Sequence, residues 1–171
     1  LGLIAASAFF SAVVAQLLLA PLADRGQTKI LMAGAIVTAA LGSLWFAVAS
    51  SAWELILARV LTGLGIGAFA PAARAVVANA DTSRAGERLG QLTAVETSGF
   101  VAGPVLGAFI NEVWGLKAPF LTFSCALILI LPSLLKLNFS PPPVAKNKVS
   151  RSDSVLLIIR RKEALGAILL G

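Results

Sequence analysis

The chain has no histidine and a single cysteine, Cys125. The first absence excludes a proton relay through imidazole, and the second excludes an intrachain disulfide. Without imidazole, a proton relay would have to use carboxylates, water or other groups. A lone cysteine cannot form an intrachain disulfide, and because Cys125 lies in an apolar run it leaves the redox compartment undetermined. The sequence also offers no cluster of metal-ligating residues.

Sequence motifs for enzymatic chemistry are missing as well. Neither a nucleophile elbow nor a phosphate-binding loop occurs. The run Gly63-Leu64-Gly65-Ile66-Gly67 is rich in glycine, but no strand precedes it and no Walker-type lysine follows it. It is therefore not a nucleotide site, and we expect neither enzymatic activity nor a cofactor.

The chain is rich in apolar residues, which make up 58% of its 171 positions. A soluble domain of this length does not need so much apolar sequence. The apolar runs are long enough to cross a bilayer as helices. We therefore predict an all-α, polytopic membrane helix bundle within residues 1–138, with lipid as a partner. The five predicted spans are approximately 1–22, 30–50, 53–79, 89–113 and 118–137.

Composition changes after the fifth span. Residues 139–154 combine prolines with polar residues, which predicts a linker in water. Residues 155–171 contain a short apolar patch and three basic residues, which predicts an interfacial segment, and from Ala164 the first half of a further span. The chain starts inside an apolar run with no charged leader, so we predict no signal peptide and expect a piece of a longer chain.

Positive charge exceeds negative charge, with 14 lysines and arginines against 8 acidic residues. If every span crosses the bilayer, one side holds Lys117 alone and Arg59 stays inside a span. The other side holds the remaining twelve basic residues, namely Arg25, Lys29, Arg74, Arg84, Arg88, Lys136, Lys146, Lys148, Arg151, Arg160, Arg161 and Lys162. Because basic residues concentrate on the cytoplasmic side, the Asp24 loop, the Arg84 loop and the linker are predicted to be cytoplasmic in a plasma or inner membrane. This distribution argues against a nucleic-acid partner.

Arg59 lies inside the third predicted span, where a charge is costly and normally faces a cavity or a partner. If that span starts near Trp53, Arg59 is about 9 Å deep at roughly 1.5 Å per residue. Snorkelling of its side chain to the outer surface is therefore an alternative.

The fourth predicted span carries glycines at a helical spacing. Gly99, Gly103 and Gly107 fall on one helix face, which predicts close packing against another helix. Pro104 frees the carbonyl of Phe100, so a bend is expected there. Gly90 points away from the other three glycines and is expected to serve the loop end of the helix.

Glu96 lies on the same span, about 12 Å deep if the helix starts near Arg88. A carboxylate inside the bilayer is a candidate proton carrier, because a bound proton removes the cost of burying the charge. The alternative is a carboxylate at the cytoplasmic mouth. Arg59 and Glu96 enter from opposite faces of a core about 30 Å thick, so direct contact is not expected. Each should have another partner, in helices outside this chain or through water.

Three sets of residues resemble motifs of the major facilitator superfamily. The turn Leu22-Ala23-Asp24-Arg25, followed by Thr28 and Lys29, is similar to the loop between helices two and three. The series Arg59, Thr62, Gly63 and Gly67 is similar to the arginine motif of helix four, with Thr62 where the family often has glutamine. The series Gly90, Gly99, Gly103-Pro104 and Gly107 resembles the antiporter signature of helix five.

The turn departs from the family pattern at three positions. Ala20 replaces the first glycine, and Thr28 replaces a basic residue. The second glycine corresponds either to Gln27 or, with one residue deleted, to Gly26. In the family the aspartate belongs to a cytoplasmic charge clasp between the two halves, and these departures concern the tightness of that clasp rather than the identity of the loop.

The resemblance implies helices two to six, the central loop and the start of helix seven of a transporter whose helix one and C-terminal half lie outside this chain. It implies a secondary transporter, driven by the proton gradient, that exports small amphipathic molecules or drugs by alternating access. Its partners would be the small-molecule substrate, protons and the rest of the same chain. In this comparison Leu22, Asp24, Arg25 and Lys29 belong to a cytoplasmic gating loop, and Arg59 and Glu96 to proton coupling or the cavity.

Two other functions stay open at this point. A sugar or metabolite symporter of the same superfamily is the first, although the helix-five signature weighs against it and uptake assays would decide. A non-transporting membrane scaffold or receptor is the second. It would require neither Arg59 nor the Asp24 loop.

Overall fold

A computed structural model describes residues 2–24 and 26–137. Within them the chain forms five α-helices and one short 3-10 turn, with no strand. The helices are α1 (Gly2–Asp24), α2 (Thr28–Val48), α3 (Ala52–Ala80), α4 (Ala85–Trp114) and α5 (Ala118–Lys136), and the 3-10 turn is Thr82–Arg84. All five are long and apolar enough to cross a membrane. The predicted all-α membrane bundle is thus confirmed, while Arg25, the linker at 139–154 and the segment at 155–171 lie outside the described residues.

The largest difference from the predicted spans is at the start of α4. This helix begins at Ala85, four residues before the predicted residue 89. The loop between α3 and α4 is short because the Asp81 side chain accepts a hydrogen bond from the Ser83 backbone N–H at 3.1 Å. That bond caps the 3-10 turn, and the chain then enters α4 directly.

Helix α3 lies at the centre of the described bundle. It packs along both α1 and α2, and α5 packs on the other side of α2. The N-terminus of α3 is fixed by Ser51, which accepts a hydrogen bond from the Glu54 N–H at 3.3 Å, while Glu54 accepts one from the Ser50 N–H at 2.9 Å. This reciprocal arrangement satisfies backbone donors at the helix start and sets where Arg59 enters the bundle.

The apolar core lies at the end of the bundle near Asp24. It joins the end of α1, the start of α2, the second half of α3 and the end of α5 through Ala23, Met32, Ile36, Ala72, Ala73 and Leu134. Small residues dominate it, which lets the helix backbones approach closely. Helix α4, by contrast, has no buried residue within the described structure.

Two serines join α2 and α5 in reciprocal fashion. The Ser43 hydroxyl donates to the Phe120 carbonyl at 3.0 Å, and the Ser124 hydroxyl donates to the Ala40 carbonyl at 3.0 Å. Both serines are buried. Because a polar group in an apolar interior must find a partner, these bonds fix the register of the two helices.

Candidate functional site

Arg59 lies seven residues after the first residue of α3, and its guanidinium ends between two aromatic rings from other helices. Its central carbon lies 4.3 Å from the ring centroid of Phe46 on α2 and 5.1 Å from that of Phe120 on α5. The two rings are tilted by 49° with centroids 4.4 Å apart. Side chains on a helix lean towards its N-terminus, which carries the guanidinium towards the last turn of α2 and the first turn of α5. Arg59 is therefore partly buried against ring faces at the end of the bundle where α2 ends and α5 begins.

The Arg59 group keeps unused hydrogen-bonding capacity. Its Nε is buried and has no hydrogen-bond partner among the described residues. A ring face attracts the positive charge but replaces hydrogen bonds to water poorly. The arrangement can therefore accept an anionic group without first breaking a bond to another carboxylate.

Glu96 has a partner within the described bundle. Its Oε2 lies 3.2 Å from Nη2 of Arg74, which joins α4 to α3. Glu96 is eleven residues after the first residue of α4, about 16 Å along the helix axis. Both side chains are only partly covered, at 54% exposure for Arg74 and 37% for Glu96. The prediction that the partners of Arg59 and Glu96 lie in helices outside this chain or in water is thus corrected, because both residues have partners on described helices.

The glycines of α3 lie at close helix contacts. A Cβ added at Gly63 would meet the Ala8 carbonyl and the Ser11 hydroxyl of α1, and one added at Gly67 would meet Ala12 of α1. Gly65 faces the other way, where an added Cβ would lie 2.6 Å from the Ala35 carbonyl of α2. The single run of three glycines therefore lets two helices press against α3 from different sides.

The glycines of α4 are open. A Cβ added at Gly90, Gly99, Gly103 or Gly107 would meet no atom within 4 Å. Helix α4 continues through Pro104 to Trp114. A shallow groove runs along this helix, lined by Thr97, Ser98, Val101, Ala102, Val105 and Leu106. The face for which close packing is predicted is thus uncovered within the described part of the chain.

The turn between α1 and α2 requires glycine at one position. Gly26 has φ 80°, a left-handed conformation that other residues rarely adopt, and its N–H donates to the Ala23 carbonyl at 3.2 Å. Gln27, the alternative match to the second glycine of the resembled loop, has φ -85°, so Gly26 is the residue that takes the left-handed conformation in this turn. Leu22 and Asp24 end α1, and Lys29 is the second residue of α2.

Sequence reasoning missed three residues of this site. Arg74 was counted among the cytoplasmic charges, although its position inside the predicted span 53–79 was a signal that it needed a partner. Phe46 and Phe120 carried no signal, because an aromatic residue in an apolar span is ordinary. Among the described residues, no group of three His, Cys, Asp or Glu could hold a metal ion.

Comparison with known proteins assigns the family. The family model described as Major Facilitator Superfamily matches residues 1–171. The chain therefore belongs to the major facilitator superfamily, and the predicted family is confirmed. With five membrane-length helices, it is a multi-pass membrane protein.

Curated relatives share a common name. The chain is similar to the Multidrug resistance protein MdtG of Klebsiella pneumoniae (strain 342), with 29% identity over 156 residues, which covers 90% of this chain and 38% of that protein. It is similar to the protein of the same name from Citrobacter koseri, with 31% identity over 152 residues, which covers 86% of this chain and 37% of the relative. The chain thus spans less than two fifths of the length of these relatives.

Proposed function

We propose that the chain forms part of a secondary active transporter that exports small amphipathic molecules in exchange for protons. Membership of the superfamily and the name of the relatives support a transporter. Alternating access, in which one half of the protein rocks against the other, is the mechanism of such folds. The proton gradient supplies the energy, so no bound cofactor is needed, and the expected partners are the substrate, protons and the rest of the same chain.

The observation that carries the proposal is the Arg74–Glu96 ion pair. Two opposite charges meet at 3.2 Å between α3 and α4, well inside apolar helices, and both remain partly exposed. Charged residues in such segments are costly and mark substrate or proton pathways. A proton on Glu96 neutralises the carboxylate and releases Arg74, so that proton binding changes how α4 is held to α3.

The open face of α4 supports the same function. Glu96 lies three, seven and eleven residues before Gly99, Gly103 and Gly107, so it shares their face of α4, where an added Cβ would meet no atom within 4 Å. A carboxylate on an otherwise apolar, uncovered helix face suits an amphipathic molecule with a polar head. The glycines on this helix leave room for close approach of the other half when the cavity closes.

The test is proton-driven efflux by the full-length protein in proteoliposomes, with Glu96→Gln as the variant. We expect loss of proton-driven efflux by about a hundredfold, the usual scale for a proton-transferring group. Glu87→Gln is the matched control, since Glu87 is also on α4 and also paired with an arginine, but at the helix start. Glu87→Gln should transport normally.

Three results would contradict the proposal. Unchanged proton-driven efflux in Glu96→Gln would remove Glu96 from the coupling mechanism. Proton-driven uptake of a sugar or metabolite, with no efflux, would favour the symporter alternative. Absence of any transport by the unsubstituted full-length protein would favour a scaffold or receptor.

A further inference from the structure

The two rings that enclose Arg59 come from different helices, and each ring position is fixed by close contacts. The Phe120 carbonyl accepts the Ser43 hydroxyl at 3.0 Å, so α5 is held to α2 at the residue that carries one ring. Phe46 lies three residues after Ser43, one turn further along α2. The aromatic pair is therefore built on the hydrogen-bonded contact between α2 and α5.

The helix that carries Arg59 is held against the same support. A Cβ added at Gly42 of α2 would lie 2.5 Å from the Thr62 backbone nitrogen and 2.9 Å from the Ala58 carbonyl, the neighbours of Arg59 on α3. This approach fixes the distance between the α3 and α2 backbones beside the guanidinium. The arginine and both rings are thus positioned by contacts that do not involve the charge itself.

The chemistry of the enclosure differs from that of an ion pair. Aromatic faces carry negative potential and stabilise a cation, most strongly where water is excluded. They do not titrate, so their attraction for Arg59 persists whether or not a carboxylate opposite it carries a proton. The buried Nε without a partner among the described residues fits a guanidinium that is held by its charge and left available to an acceptor.

We propose that Phe46 and Phe120 are positioning residues that hold the Arg59 guanidinium at one depth in the membrane throughout the transport cycle. With the charge so held, Arg59 can attract a carboxylate when that group is ionised and release it when a proton neutralises it. This role rests on the proposed function, because it assigns the rings to proton coupling. The attraction between rings and arginine is independent of transport and can be measured separately.

The experiment replaces Phe46 in the full-length protein by phenylalanines carrying one, two and three fluorines. Fluorination changes ring size little but progressively removes the negative potential of the face. The first readout is the thermal unfolding midpoint in detergent, measured with Arg59 and again with Arg59→Met. We expect the midpoint to fall with each fluorine when Arg59 is present and to stay constant with methionine.

The second readout is the rate of proton-driven efflux in the same series. We expect efflux at a fixed proton gradient to fall stepwise, by about tenfold overall, the scale of a desolvated cation–π contact. Phe10 of α1 is the matched control, since its ring is 74% exposed and outside this cluster. The same fluorinated series at Phe10 should leave both readouts unchanged.

Each outcome bears on the proposal. Equal midpoints across the Phe46 series would show that the rings only fill space, and would overturn it. Falling midpoints with unchanged efflux would show a purely structural contact, and would overturn the positioning role. If the unsubstituted protein shows no proton-driven efflux, the proposed function fails and the positioning role fails with it, whatever the thermal series gives.

Discussion

Two arginines lie inside apolar helices of the described bundle, and each is stabilised in a different way. Arg74 pairs with the Glu96 carboxylate at 3.2 Å. The Arg59 guanidinium lies against the ring faces of Phe46 and Phe120, and these rings carry no group that a proton could neutralise. At the scale of single residues, the described bundle therefore combines a cation paired with a carboxylate and a cation enclosed by aromatic rings.

Another charged group, Asp81, lies between α3 and α4, and we expect its pKa to depend on Ser83. The Ser83 hydroxyl donates to the Asp81 carboxylate at 2.6 Å, and this bond lowers the pKa of Asp81 below its ordinary value of 3.8. Because the pKa of Asp81 is lower in the folded turn than in the unfolded chain, the ionised carboxylate stabilises the turn at pH values above the unfolded pKa. This contribution is lost as the pH falls through the folded pKa.

The measurement is the titration of the Asp81 side-chain carbon by NMR in nanodiscs. We expect a midpoint below 3.8 in the unsubstituted chain and a higher midpoint in Ser83→Ala, because the hydroxyl donor is removed. Thr82→Ala, which changes a hydroxyl in the same turn that has no described bond to Asp81, should leave the midpoint in place. Equal midpoints for the unsubstituted chain and Ser83→Ala would contradict the assignment.

The charged residues of the site could be found in the sequence, but their partners could not. Arg59 and Glu96 stand out as isolated charges in apolar runs, so elementary energetics identifies them. Which residue faces them depends on how each helix is rotated about its axis. That rotation is set by contacts such as Gly42 against Thr62, which no periodicity in the sequence reveals.

At the scale of helices, two glycine-bearing elements differ in what surrounds them. Helix α3 is pressed on two sides at Gly63, Gly65 and Gly67, whereas α4 is open at Gly99, Gly103 and Gly107. Both patterns read as packing motifs in the sequence. Within the described residues only the α3 glycines contact other helices. The spacing of small residues therefore indicates a surface suited to packing but does not identify the helix that packs there.

This difference predicts opposite effects of the same substitution. In Gly65→Ala the new Cβ would lie 2.6 Å from both the Ala35 carbonyl and the Ala39 nitrogen, so we expect a loss of about 1–3 kcal/mol, the usual cost of overpacking. In Gly99→Ala the new Cβ meets nothing within 4 Å, so the described helices should be as stable or more stable, since alanine favours helix.

Unfolding of this five-helix segment in mixed detergent micelles, followed by circular dichroism, compares the two variants directly. Gly34→Ala is a second control, because Gly34 is on α2 and also has open space around it. Equal destabilisation by Gly65→Ala and Gly34→Ala would show that loss of glycine, rather than crowding, is the cause.

At the scale of the whole molecule, hydropathy and charge predict most of the architecture. Runs of apolar residues predicted the five helices, because backbone polar groups in lipid must be satisfied within each segment. The start of α4 was missed by four residues, because a local cap at Asp81 decides it. Sidedness depends on the distribution of lysine and arginine, and stays a prediction.

Sidedness is tested by cysteine labelling in intact cells. In a Cys125→Ser background, which removes the exposed thiol of α5, single cysteines replace Thr82 between α3 and α4 or Leu116 between α4 and α5. An impermeant maleimide should label Leu116→Cys from outside and reach Thr82→Cys only after the membrane is opened. Labelling of Thr82→Cys in intact cells would reverse the predicted topology.

The placement of the α3 glycines has a consequence for biosynthesis. Translation delivers α1 and α2 before α3, so both surfaces that receive Gly63, Gly65 and Gly67 already exist when this helix leaves the ribosome. The serine bonds of α2 must wait for α5, because Ser43 and Phe120 are 77 residues apart in the chain. A nascent chain halted after α3 should therefore already hold α1, α2 and α3 packed together. In that state Arg59 can contact Phe46, whereas Phe120 on α5 has not yet been synthesised.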